Sequence, residues 1–290
     1  MPGLSEAIKR IAVAAHPQLP EAIRLGAQIA TALEEQGLAV DYGLLYDDSI
    51  RQALNSHQAQ VLIALGGDGT MLRAGHLCGP VNIPILGINV GHFGFLVEIK
   101  HQHWREMLPR LLKGDYWLER RMMLLAEHIR SGQCIGRWEV LNDVVVSRGQ
   151  MVRPVHLVAQ VDGRYLATFV ADALIAATAT GSTAYAMAAG GPILSPELRN
   201  ILLVPVAPHL SIEHAIVLAE GASVTIRVVT DHQAVVSPDG QMPITMEEGD
   251  QVDVHASEHT VQFIRFQDPG YFYRNLTPHM SKNPSTGEHR

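Results

Sequence analysis

The sequence has no apolar run near the ~20 residues that cross a bilayer. Its first residues, MPGLSEAIKRIAVAAHPQ, lack the basic end, long apolar stretch and cleavage site of a secretory leader. No membrane partner is expected. Cysteine is scarce as well: Cys78 and Cys134 fall in differently patterned regions and have no metal-site spacing. A disulfide framework is therefore not expected, and the thiols suit a reducing cytoplasm. Positive charge is in deficit, with 22 Lys and Arg against 29 Asp and Glu and a formal net charge of −7. That balance argues against a general nucleic-acid binder, which carries a basic stripe. A small anionic ligand stays open, because backbone N–H groups hold a phosphate whatever the total charge.

Histidine is plentiful, with 15 residues, but its spacing does not suggest metal chelation. His255 and His259 lie in a stretch that alternates like a strand, where residues four apart share a face but stand too far apart to hold one ion. The 290 residues, 47% of them apolar, suffice for one large domain or two ordinary ones.

Two grammars divide the chain. From Ile8 to about Gly94, short apolar runs alternate with helical stripes. Strands are expected at 11–14, 38–45, 61–65 and 83–89, with helices over 19–36, over 49–58 and after residue 72 to about Leu77. Such alternation implies a parallel sheet covered on both faces. From about Arg120 the pattern becomes β-rich, with strands expected at 139–147, 154–162, 165–177, 215–219, 223–229, 234–237 and 260–266. The fold class expected is an α/β N-terminal domain with a parallel sheet plus a β-rich, mostly antiparallel C-terminal domain. The boundaries read as 1–100 for the first, with 267–290 packing back on it, and 101–266 for the second. The last residues, SKNPSTGEHR, read as disordered.

Three stretches carry candidate chemistry. ALGGDGTML, residues 64–72, places Gly66, Gly67, Asp68, Gly69 and Thr70 between a strand and a helix. That position offers free N–H groups and the positive end of a helix dipole to an anion. It matches neither G-x-x-x-x-G-K-[ST] nor a complete G-x-G-x-x-G fingerprint. A tight turn with Asp68 as helix cap competes with the functional reading, although one glycine would suffice for such a turn. Asn142 and Asp143 interrupt the apolar run 141–146, as a ligand contact or a bulge would. Thr178, Thr180, Ser182 and Thr183 with Tyr185 offer hydroxyls on small side chains around Gly181 and Ala184, which either bond a sugar or phosphate or form a helix entry.

In this order, GGDGT, GINVGHFGFL (Gly87 to Leu96), Arg121-Met122-Met123-Leu124, the Asn142-Asp143 pair before Ser147-Arg148-Gly149, TGSTAY with Ala189-Gly190-Gly191-Pro192-Ile193, PHLS (Pro208 to Ser211) and Asp239-Gly240-Gln241 resemble the NAD kinases. The resemblance runs from about residue 8 to 276. GGDGT alone also occurs in lipid kinases and phosphofructokinases; joined to TGSTAY and AGGPI it is specific.

The resemblance implies transfer of the terminal phosphoryl group of ATP, or of polyphosphate, to the 2′-hydroxyl of the adenosine ribose of NAD. It implies Asp68 as the catalytic residue that activates this hydroxyl. It further implies an acceptor site of Gly67, Asp68, Gly69, Asn142, Asp143, Asp172, Thr180, Thr183, Ala184 and Tyr185. Gly66, Gly67, Gly69 and Thr70 are then expected on the donor side, Arg148 on a donor phosphate or on a carboxylate across a subunit boundary, with Mg²⁺ as the divalent ion and a homodimer or homotetramer as the assembly. The chain departs from the family in having Asn-Asp for Asn-Glu at 142–143, Asp-Ala at 172–173, Thr-Ala-Thr-Gly at 178–181, and Glu213-His214 in place of Arg-Pro. A non-catalytic nucleotide sensor and a lipid kinase of the diacylglycerol type are the alternatives.

Overall fold

The computed structural model of the chain describes residues 7–91, 94–150, 152–209 and 212–280. The C-terminal SKNPSTGEHR, two residues of GINVGHFGFL and two of PHLS lie outside the described residues. The chain divides into two compact units, Met1–Arg120 with Thr260–Arg290, and Arg121–His259.

The first unit runs β1 (Arg10–Ala15), α1 (Pro20–Glu34), β2 (Ala39–Leu44), α2 (Asp48–Asn55), β3 (Val61–Gly66), α3 (Asp68–Cys78), β4 (Ile85–Asn89), β5 (Ile99–Lys100) and α4 (Trp104–Leu112). Its strands lie in the order β2-β1-β3-β4, all parallel. β3 is buried along its whole length, as a strand covered on both faces is, so it reads as an unbroken apolar run. α1 takes Pro20 in its first turn, where the missing N–H costs nothing, and buries Ala22, Leu25, Ile29 and Leu33 along one stripe. β1 leads outward to β2, and β3 leads the other way to β4, so the connections diverge between β1 and β3. In open α/β sheets ligands bind beyond the carboxyl ends at such a switch point. GGDGT starts there.

The first unit extends past the boundary at residue 100 read from the sequence. Trp104, Leu108 and Leu111 of α4 belong to the same apolar core as Ile11, Val13 and Ile63. The stretch 260–266, expected in the second domain, also belongs here: Phe263 pairs in parallel with Ile85 and Ile264 lies in that core. Its apolar pattern could not reveal which sheet it joins, because both units bury strands of this composition.

The second unit adds β6 (Trp117–Arg130), β7 (Gln133–Val140), β8 (Asp143–Arg148), β9 (Val155–Val161), β10 (Arg164–Ala171), β11 (Ala173–Ala177), α5 (Tyr185–Ala188), β12 (Ile201–Val206), β13 (Ile216–Leu218), β14 (Val224–Val228), β15 (Ala234–Pro238), β16 (Ile244–Met246) and β17 (Gln251–Arg265). β6 and β17 have residues in both units. One antiparallel run is β10-β9-β14-β17, and a separate six-stranded antiparallel sheet is β13-β12-β11-β8-β15-β16. Alternation along the strands sorts the side chains. Val144, Val146, Leu174, Ala176 and Leu203 enter a core with Leu157, Phe169 and Ile226, whereas Val145, Ile175 and Leu202 pack on the other face with Ala179 and Ala186.

Two runs read as single strands are divided. The run 139–147 breaks after β7, and 165–177 breaks at Asp172, where the chain leaves the pairing of β10 with β9 and enters that of β11 with β8. The long β6 and the strand β12 were not read from the sequence. α6 (Tyr271–Met280) closes the described chain and buries Tyr271 and Phe272 in the first unit.

Candidate functional site

In the first unit, β3 ends at Gly66 and α3 begins at Asp68, with Gly67 as the residue flanking the helix. The capping reading of Asp68 fails. Among the described residues no side chain caps α3, and the Asp68 carboxylate turns to another segment: Oδ2 accepts the N–H of Phe95 at 2.7 Å and Oδ1 that of Leu96 at 2.9 Å. Two backbone donors fix both oxygens, and a carboxylate retains further lone pairs for a substrate proton. Gly94 makes this approach feasible, since a Cβ there would overlap the Asp68 carboxylate.

The loop glycines differ in purpose. A Cβ on Gly66 would strike the Thr70 side chain, so Gly66 and buried Thr70 pack against each other. Among the described residues a Cβ on Gly67 or Gly69 would meet nothing within 4 Å, and neither has a positive φ. Neither internal packing nor backbone conformation requires glycine at these two positions. What they leave is open space above the first turn of a helix, where N–H groups and the dipole favour an anion.

Asn89 ends β4 in register with Gly66. It is buried, its Nδ2 donates to the carbonyl of Gly91 at 3.1 Å, and its Oδ1 has no hydrogen-bond partner among the described residues. Nothing in its type or spacing singled this acceptor out in the sequence.

The second unit gathers Asn142, Asp143 and the 178–185 segment at one end of the β8–β11 pair, where Asp143 faces Ala177. Asp239 builds this end. Its carboxylate accepts the N–H groups of Leu141 (2.7 Å), Asn142 (2.7 Å) and Asp143 (3.0 Å), satisfying the donors that the strand break leaves. Asp239 and Gly240, with φ of 46° and 66°, form the positive-φ turn that joins β15 to the segment before β16. Burial, reinforced by the negative charge of Asp239, pushes the Asp143 carboxyl up to about 7.

The hydroxyls expected at a sugar or phosphate also shape their own turn. Thr178 donates to the carbonyl of Leu141 at 2.5 Å and accepts the N–H of Gly181 at 3.0 Å. Ser182 donates to Ala179 and Thr183 to Thr180. Thr180 is buried and accepts from Arg121 Nη1 at 3.3 Å, a contact the sequence motifs did not foretell. Gly181 has no room for a side chain, because the Asn142 carbonyl occupies that space. Ala184 follows at the entry to α5, and Tyr185 stands 45% exposed.

Asp172 and Arg148 are not part of this gathering. They lie at the opposite end of the β8–β11 pair, roughly 17 Å along the strand at about 3.4 Å per residue. There Arg148 Nε meets Asp172 Oδ1 at 3.0 Å. Cys78 is buried and Cys134 exposed, and both are free thiols. Among the described residues no group of three or more His, Cys, Asp or Glu is arranged to hold a metal ion, and no helix is long and apolar enough to cross a membrane.

Comparison with known proteins gives concordant findings. Residues 11–116 match the model of the ATP-NAD kinase N-terminal domain and residues 141–266 that of the ATP-NAD kinase C-terminal domain. An NAD kinase of Chloroflexus aurantiacus is 37% identical over 276 residues, 95% of this chain and 100% of the relative. An NAD kinase of Polaromonas naphthalenivorans is 39% identical over 248 residues, 86% of this chain and 85% of the relative. Among solved structures, yeast NADH kinase complexed with NADH aligns with a TM-score of 0.83 at 21% identity, covering 99% of this chain and 91% of the other. An NAD kinase from Archaeoglobus fulgidus in complex with ATP aligns with a TM-score of 0.73 at 23% identity, covering 92% and 97%. At these identities the structural matches speak for the fold.

Proposed function

The chain belongs to the NAD kinase family, and from that premise we propose that it transfers the terminal phosphoryl group of ATP to the 2′-hydroxyl of the adenosine ribose of NAD, giving NADP and ADP. The observation that carries the mechanism is the Asp68 carboxylate, held by two backbone N–H groups on a loop whose Gly67 and Gly69 leave space for a ligand. A ribose hydroxyl is a weak nucleophile at neutral pH. Asp68 accepts its proton as the oxygen bonds to phosphorus and the bond to the leaving ADP breaks. The loop N–H groups and the α3 dipole face the donor phosphates.

A Mg²⁺ ion, when bound, neutralises charge on those phosphates. The residues present fit such an ion, because Mg²⁺ keeps several waters and takes one or two carboxylates plus substrate phosphates rather than a protein cage. Asp68 is the carboxylate this loop offers. Asn142, Asp143, Thr180, Thr183, Ala184 and Tyr185 hold the acceptor in this reading. Asp172 serves its nicotinamide end and Arg148 a donor phosphate, each beside the other, with Arg148 Nε 3.0 Å from Asp172 Oδ1. Assembly as a homodimer or homotetramer and action in the cytoplasm belong to the same reading.

The test is NADP formation from NAD by the purified chain with ATP and Mg²⁺, read through an NADP-specific dehydrogenase. Polyphosphate in place of ATP, and NADH in place of NAD, define donor and acceptor. Binding of NAD in calorimetry without any phosphorylation would overturn the proposal in favour of a nucleotide sensor.

A further inference from the structure

We propose that Arg265, Glu119 and Tyr271 form a positioning relay that holds the Asp68 carboxylate in its reactive orientation through the backbone of Leu96. The inference rests on the reading of Asp68 as the group that activates the acceptor hydroxyl.

The two N–H groups that fix Asp68 come from Phe95 and Leu96, in a stretch with no regular secondary structure. A loop of this kind keeps a donor in place only if something else holds the loop. Leu96 is gripped from its other side. Its carbonyl accepts Arg265 Nη1 at 3.0 Å, while its N–H donates to Asp68. Arg265 is fully buried, and its Nε and Nη2 both donate to Glu119 Oε2, at 2.9 and 2.7 Å. Glu119 Oε1 accepts the hydroxyl of Tyr271, the first residue of α6, at 2.6 Å.

A second carboxylate steadies the same guanidinium. Glu98 accepts the N–H groups of Phe266 and Gln267 through Oε1, at 3.0 Å each, and its Oε2 lies 3.7 Å from Arg265 Nη1. Burial weakens the hold of Arg265 on its proton, but Glu119, Tyr271 and Glu98 together outweigh it and raise the guanidinium above its ordinary value, so the side chain stays a cation.

A buried ion network is weak evidence for stability, because apolar residues of similar volume often serve as well. It does supply a fixed direction, and here that direction ends on the amide next to Asp68. Every link lies within the first unit, in residues 68, 95–98, 119 and 265–271. The relay thus ties α6, whose Phe272 ring also lies 6.3 Å from that of Phe95, to the orientation of the Asp68 carboxylate.

Tyr271→Phe removes one hydroxyl and keeps the ring, so it tests the relay without opening the core. The expected result is a fall in kcat of about tenfold with the KM values for NAD and ATP unchanged, since a displacement of well under 1 Å already costs part of the ~10²-fold penalty of misplacement. In the Asp68→Asn background the same change should cost nothing further, because the relay acts only through that carboxylate. Amide hydrogen exchange at Phe95 and Leu96 should quicken in Tyr271→Phe, and more so in Arg265→Lys, which keeps the charge but loses the fork. Equal losses from Tyr271→Phe in both backgrounds, or unchanged exchange at the two amides in both variants, would overturn the relay. The exchange readout needs no turnover. A parent chain that fails to phosphorylate NAD therefore refutes the proposed function separately from the relay's geometry.

Discussion

The carboxylate of Asp68 lies so close over the α-carbon of Gly94 that a methyl group there would overlap both of its oxygens. Gly94 also precedes the two residues whose N–H groups bond those oxygens, so one short segment supplies both the space and the donors. Gly94→Ala should displace the carboxylate and lower kcat by about 10²-fold, the scale of a 1 Å misplacement. Steady-state kinetics beside a thermal melt would check it. A Gly94→Ala variant with normal kcat would show that the crowding is relieved without moving Asp68.

Asp68→Asn keeps the shape and one acceptor oxygen but cannot take a proton. Turnover should fall by roughly 10²–10⁴-fold, the usual worth of general-base help, while the folded state persists. NADP formation and a melting curve on the same preparation separate loss of chemistry from loss of fold.

Gly67 and Gly69 make the opposite prediction to Gly94. A Cβ at either position meets no atom of the described residues within 4 Å, and at Gly69, inside the first turn of α3, alanine is a better helix former than glycine by up to about 1 kcal/mol. Gly69→Ala should therefore leave the melting temperature unchanged or raised. It should nevertheless raise the KM for ATP severalfold, because the methyl group enters the space left for the ligand. A stable Gly69→Ala variant with an unaltered KM would mean that no ligand approaches this residue.

Asp143 should make the fold pH-dependent. Its carboxyl titrates at about 7 in the folded chain against an ordinary value of 3.8. Between these two values the folded state holds a proton that the unfolded state has released, so stability falls as pH rises through the window. The penalty is absent below pH 4 and complete above pH 7, where it amounts to roughly 4 kcal/mol at most. Asp143→Asn should be more stable than the parent at pH 8, with little difference at pH 4, in urea denaturation at both values. Equal stabilities at pH 8 would show that Asp143 is solvated or paired more fully than its burial implies.

Asp239→Asn should weaken the second unit for the converse reason. The amide offers one acceptor oxygen to three N–H groups now shared by two, and each donor left unsatisfied in the interior costs about 1–3 kcal/mol. The same substitution removes the charge that helps hold up Asp143 and should bring its titration towards the ordinary carboxylate range, observable by NMR.

Much of the first unit was legible in the chain. Parallel strands buried on both faces read as unbroken apolar runs, as 61–65 does, and the helix expected over 19–36 forms at 20–34 and buries Leu25, Ile29 and Leu33 of its stripe. The motifs around Asp68, Asn142 and Thr180 were visible because they depend on residue types at close spacing. The second unit was harder. The run 165–177 looks like one strand, yet Asp172 is where the chain changes partners, and pairing partners leave no mark on an apolar run.

The sequence by itself determined the strand–helix alternation, the glycine loop after β3 with Asp68 within it, and the hydroxyl-rich turn of the second unit, because each is written in residues a few positions apart. Only the tertiary structure decided what those residues face. The donors on Asp68 are backbone N–H groups, which every residue but proline carries, so no residue type announces them. Asp239 reaches back 98 positions to Leu141, and Arg265 reaches 146 to Glu119 and 169 to Leu96. Contacts at such separations are set by how the sheets pair and the core closes, which a local pattern of polar and apolar residues does not encode.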